Sequence, residues 1–166
     1  MTLSVSISIA PPGDTTDHEA IKGLFIEYAQ SLGFSLAYQD FASELAGFPG
    51  KYAPPTGALL LARANGEAAG AVALRQLEPA ICEMKRLYVR PNFRHLRTPD
   101  GQSIGRALAH GIVAQARALH YQRLRLDTVA GKMAAAVKLY QSIGFVEIPP
   151  YYLSPIPDTA YMELVL

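Results

Sequence analysis

Residues 101–109 read GQSIGRALA and bring two glycines, a serine and an arginine to the point where a long helical pattern begins. The first turn of a helix leaves backbone N–H groups unpaired and carries the positive end of the helix dipole. A turn of small residues there can hold an anion such as a pyrophosphate. Gly105 costs the helix roughly 1 kcal/mol against alanine, so something other than propensity keeps it. Either phosphate oxygens approach the main chain, with Ala107 also small and Arg106 adding a cation, or a neighbouring element packs too closely for a side chain.

Other residues carry chemistry less openly. Glu83 sits mid-strand in ICEMKRLYV, where a carboxylate is poorly placed unless it faces a wet cleft or pairs with Lys85 or Arg75. Cys82 is the only cysteine, which excludes an intrachain disulfide, and its apolar segment predicts a packed thiol. His18, His95, His110 and His120 are scattered without metal-ligand spacing. Asp127 closes the run RLD near the end of a strand, where it either binds an amine or caps the next turn.

The pattern of the chain shows what must position these groups. LSVSISIA (3–10) alternates like a strand, and Asp14 to Asp17 offer caps for a helix reaching about Gly33. FSLAYQDFASELAG (34–47) reads as a shorter second helix, and FPGKYAPPTG as a loop. GALLLARA (57–64) and AGAVALRQL (69–77) flank Asn65-Gly66, a strong hairpin signal, and 81–89 is a third strand ending at Arg90-Pro91. A helix over 103–120, a strand over 121–129 and a helix over 134–144 follow, the last closed by Gly144. FVEI and YMELVL are the final strands, joined by the loop PPYYLSPIPD. The order β-α-α-β-β-β-α-β-α-β-β reads as one mixed α/β domain over 1–166.

With LYVRPNFR before it and LYQSIGF after it, the segment Gln102-Ser103-Ile104-Gly105-Arg106-Ala107 resembles the Q/R-x-x-G-x-G/A motif of the GNAT superfamily of acetyl-CoA-dependent N-acetyltransferases. The resemblance implies a six- to seven-stranded, mostly antiparallel sheet flanked by helices, with acetyl-CoA held by residues 102–107. It also implies that Leu87, Tyr88 and Val89 pair with the pantetheine arm as an added strand. Tyr140 matches the tyrosine of L-Y-x-x-x-G-F, whose hydroxyl in relatives faces the coenzyme sulfur. Glu83 then becomes a candidate base for an amine of pKa about 10, with the ion pair as its alternative. Tyr28, Tyr38 and Gln39 from the early helices, with Asp127, Tyr151 and Tyr152, are candidate acceptor contacts.

Two departures bear on the cofactor. Seven residues, HLRTPDG, stand between Arg94 and Gln102 where relatives commonly have a single glycine. They either shift the phosphate grip or cover the cofactor with His95 and Arg97. Met133 stands where many relatives carry a cofactor-contacting asparagine. The expected activity is direct acetyl transfer to a primary amine of a small molecule or protein. The alternative is an acyl-CoA-binding regulatory module without turnover.

Charge and hydropathy bound the rest. Fifteen Lys and Arg face fourteen Asp and Glu, a balance that gives no electrostatic case for nucleic acid or an anionic membrane as partner. No apolar run approaches the ~20 residues of a membrane span, and the N-terminus lacks the basic n-region of a secretory signal. The expectation is a soluble cytoplasmic protein, with the C-terminal strands free to pair in a homodimer.

Overall fold

The computed structural model describes residues 5–166. The chain begins its sheet with β1 (Ile7–Ala10), then forms α1 (Thr15–Ser31), capped by Asp14, whose side chain accepts from the Asp17 N–H. Leu3 and Ser4 of the expected first strand lie outside the described residues. The single helix expected over 34–47 is not there. Asp40 adopts a left-handed φ of 56° and splits the segment into a short turn (Ala37–Gln39) and α2 (Phe41–Ala46).

Strands β2 (Ala58–Ala64), β3 (Glu67–Glu78) and β4 (Ile81–Val89) form a meander turned at Asn65-Gly66. Then follow α3 (Ile104–Ala118), β5 (Arg123–Val129), α4 (Ala134–Ile143), β6 (Val146–Ile148) and β7 (Thr159–Val165). Among the described residues seven strands run β1-β2-β3-β4-β5-β7-β6, and of these only β4 and β5 pair in parallel. No helix among the described residues is long and apolar enough to cross a membrane.

Both faces of the sheet are covered, so ALLLA in β2 is apolar throughout rather than alternating. Leu59, Leu61, Ala71 and Ala73 pack under α1 with Ile21, Leu24 and Phe25. Leu60, Ala62, Val72 and Leu74 pack under α3 with Leu108 and Ile112. Close approach between β3 and β4 requires Gly70, where an added Cβ would stand 2.7 Å from the Tyr88 carbonyl oxygen. Backbone cannot swing aside as a side chain does. Gly70→Ala should therefore cost about 1–3 kcal/mol, read as a lower urea midpoint at unchanged slope.

The parallel ladder between β4 and β5 ends early. It joins Ile81 to Arg123, Cys82 to Leu124 and Glu83 to Arg125, and then stops. Beyond Glu83 the two strands diverge, leaving backbone groups on facing edges without strand partners.

Candidate active site

A cleft of about 730 Å³ opens where β4 and β5 part. Met84 to Val89 form one wall and Leu126 to Val129 the other, with the start of α3 and one side of α4 at its ends. The α3 turn is built as a helix start. Ser103 is the N-cap and accepts from the Arg106 N–H at 3.1 Å, which leaves earlier N–H groups facing outward. Ser103, Gly105 and Arg106 line the cleft. Ile104 is wholly buried beneath them, Ala107 is half-buried, and Gln102 turns its amide to Asp100 at 2.6 Å.

Packing does not explain Gly105. A Cβ added there would meet only Val89 Cγ2, at 3.8 Å, an ordinary contact. Gly111 on the same helix differs, since its Cβ would stand 2.8 Å from Leu60 Cδ1. Gly105 leaves open space on the cleft side, where the main chain is within reach of a ligand.

Leu87, Tyr88 and Val89 lie along the β4 wall, and Tyr140 lines the cleft from α4 with its ring against Phe145. Burial, with Tyr28 and Asp127 nearby, raises the Tyr140 pKa and keeps its hydroxyl protonated through the neutral range. Met133 also lines the cleft, where its sulfur accepts from the Thr128 hydroxyl at 3.3 Å. The 95–101 loop closes on itself instead of covering the cleft. Thr98 N–H donates to the Gln102 carbonyl at 2.8 Å, Gly101 N–H to the Thr98 carbonyl at 2.9 Å, and Arg97 pairs with Ser103. Arg97 spends its guanidinium on the Arg94 and Leu96 carbonyls, and neither it nor His95 lines the cleft.

Glu83 sits at the last paired position before the strands part and is 1% exposed. It accepts from Arg75 Nε at 2.8 Å and from the Tyr151 hydroxyl, with Lys85 Nζ at 3.8 Å. Burial pushes its carboxyl up, but Lys85, Arg75 and Tyr151 outweigh that and hold it below the ordinary carboxylate value. The ion pair foreseen as its alternative role is therefore present. Asp127 lies in β5 and caps nothing; one oxygen accepts from Tyr152 and the other stands 3.9 Å from Lys85 Nζ. The adjacent Tyr151 and Tyr152 thus each hold one of the two carboxylates at the parting of the strands. Tyr28 lines the cleft against Tyr88, and Tyr38 and Gln39 face it from the split helix segment.

Sequence reasoning missed Arg86. It has a left-handed φ of 63° at the irregularity where β4 bulges opposite Ala71 and Ala73. Consecutive strand residues normally face opposite sides, yet Lys85 and Arg86 both donate to Gln39 Oε1, at 3.0 and 2.7 Å. Arg86 also grips both oxygens of Glu44. Two adjacent charges, Lys85 and Arg86, inside the strand were the available signal, because they break the alternation that a regular strand would keep.

Residues 20–145 match the acetyltransferase (GNAT) family. An uncharacterized N-acetyltransferase of Schizosaccharomyces pombe is 40% identical over 161 residues, covering 96% of this chain and 94% of that protein. An acetyltransferase structure from Streptococcus agalactiae shares the fold with a TM-score of 0.74 at 23% identity, over 96% of this chain and 98% of that one. A Salmonella typhimurium structure solved with its cofactor acetyl-CoA shares it with a TM-score of 0.66 at 18% identity, over 96% of this chain and 93% of that one.

Proposed function

Since the chain belongs to the acetyltransferase (GNAT) family, we propose that it moves an acetyl group from acetyl-CoA to a primary amine by direct transfer while both are bound. The observation that carries this reading is the cleft itself: two strands that part after three paired positions, beside a helix start whose glycine is free of packing. Gly105 and the N–H groups around it fit a pyrophosphate, with Arg106 adding positive charge. The unpaired edge of β4 from Leu87 to Val89 fits the amide groups of a pantetheine arm.

Bound there, acetyl-CoA supplies an acetyl thioester: an amine nitrogen bonds to its acetyl carbon, the carbon–sulfur bond breaks, the nitrogen gives up one proton and the sulfur takes one. Tyr140 gives the proton to sulfur. Glu83 is too deeply buried to touch the amine, so it receives the nitrogen proton through the Tyr151 hydroxyl. A weak base suffices, because a nitrogen that has begun to bond to the acetyl carbon is far more acidic than a free ammonium. Direct transfer also fits the state of the only thiol. Cys82 is fully buried, its pKa is pushed up to about 12 by burial, and it donates to the Arg123 carbonyl.

Calorimetric titration with acetyl-CoA, followed by thiol release in the presence of amines, tests the reading. Binding and amine-dependent release are expected. Tyr140→Phe should lower kcat by roughly 10–100-fold with little change in acetyl-CoA affinity. Failure of the folded protein to bind acetyl-CoA would overturn the proposal, and an undiminished kcat would remove Tyr140 from it.

A further inference from the structure

A second cavity, of about 450 Å³, adjoins the cleft and shares Tyr38, Gln39, Lys85 and Arg86 with it. Every oxygen of its deeper carboxylates has a partner. Glu83 accepts from Arg75 through one oxygen and from Tyr151 through the other. Glu44 accepts from Arg86 through both oxygens and from Tyr52. The donors are not saturated. Arg75 gives only its Nε to Glu83, so the two terminal nitrogens of its half-buried guanidinium have no hydrogen-bond partner among the described residues. Lys51 stands at the rim without a partner among the described residues, and its charge offsets the exposed Asp40 on the same rim.

A site rich in free donors and short of free acceptors favours a ligand that brings its own lone pairs, since a guanidinium left with unpaired nitrogens gains two parallel bonds from an anionic oxygen pair. The side of the junction facing the cleft has the opposite character. One oxygen of Asp127 is taken by Tyr152, while the other has no hydrogen-bond partner among the described residues and stands 3.9 Å from Lys85 Nζ, beyond hydrogen-bond length. Arg75 connects to Asp127 through two side chains, Glu83 and Lys85, and Lys85 lines both cavities.

Resting on the transferase reading above, we propose that the acceptor is a small amine carrying an anionic oxygen group, carboxylate or phosphate, at its other end. The terminal nitrogens of Arg75, with Lys51, hold the anion, and the Asp127 oxygen not taken by Tyr152 accepts from an N–H of the neutral amine at the edge of the cleft, leaving the nitrogen lone pair for the acetyl carbon. A polyamine, which is cationic throughout and carries no anionic oxygen, does not meet this pattern.

The test uses the full chain with acetyl-CoA and matched acceptors: the protein amino acids, β-alanine and 4-aminobutyrate, each against its carboxamide, and O-phosphoethanolamine against ethanolamine. The anionic member of at least one pair should have a kcat/KM about tenfold or more above its neutral partner, and the pair that responds tells carboxylate from phosphate. Arg75→Gln should raise KM for that acceptor about tenfold and bring the ratio towards one, with part of the preference returning in Arg75→Lys. Lys51→Gln, at an exposed position, should move the ratio the same way by a smaller factor, which guards against misfolding of the Arg75 variants. Neutral partners used as well or better would overturn the proposal, as would acetyl-CoA binding with no anionic amine accepted. A protein that does not bind acetyl-CoA at all would instead overturn the transferase reading, and this proposal with it.

Discussion

Gly105→Glu should abolish acetyl-CoA binding while leaving the protein folded. The side chain has somewhere to go, because a Cβ at this position meets only Val89 Cγ2 at 3.8 Å. A carboxylate in the first turn of α3 also suits the helix dipole, worth about 0.3–1 kcal/mol, and glycine is a poor helix former. The variant's melting temperature should therefore hold or rise. Its affinity should fall about 100-fold or more, about 2.7 kcal/mol, because the new charge occupies the place of a pyrophosphate. Gly105→Ala separates the two effects further. Alanine should stabilise the fold by about 1 kcal/mol and still weaken the coenzyme, since the methyl group fills space that oxygens need. Calorimetry and thermal melts on the same samples read both numbers. Unchanged affinity in both variants would return Gly105 to a packing role for which the structure gives no neighbour.

The elements around this turn were legible because local chemistry fixes them. Asn65-Gly66 supplies the left-handed backbone of a tight hairpin, and Asn65 does adopt a φ of 50°. Ser103 caps α3 where the pattern placed the helix start, and Gly144, at a φ of 117°, ends α4. Asp40 was not legible. Its left-handed conformation is dictated by what lies across the cavity, where Arg86 and Lys85 pull Gln39 and Glu44 onto β4. A helix through 34–47 satisfies local propensity, but contacts more than forty residues away override it.

The site was legible in types and not in partners. Glu83 was visible as a carboxylate out of place in a strand, and Arg75 follows from hairpin register, which sets the two opposite one another. Tyr151 lies 68 residues on and reaches Glu83 only because β7 returns beside β5 and carries the preceding loop over the parting of the strands. No period or spacing encodes that meeting. The length of the parallel ladder is hidden for the same reason. Residues 84–89 read as good strand, and only the bulge at Arg86 and the divergence from β5 show that they lack a partner on one side.

Glu83→Gln should then be the most destabilising single-atom exchange in the site. It removes one charge and leaves Arg75 and Lys85 facing each other, the latter 10% exposed, in a pocket built around a carboxylate. Breaking a buried pair in this way costs about 3 kcal/mol. The pH dependence follows from the direction of the shift. Glu83 lies below its ordinary value of 4.5 when folded, so its charged form contributes stability that is fully present above that value. The contribution is lost as pH falls through the folded pKa. Wild type and variant should differ by a constant amount from about pH 6 to 8 and converge below about pH 4.5, measured by urea unfolding at each pH. At a pH where both remain folded, kcat should also fall at least about tenfold, because the amide cannot take the proton handed on by Tyr151. A stability loss with kcat intact would leave Glu83 as the keystone of an ion-pair cluster, and the proton would have to leave by Tyr152 and Asp127 instead.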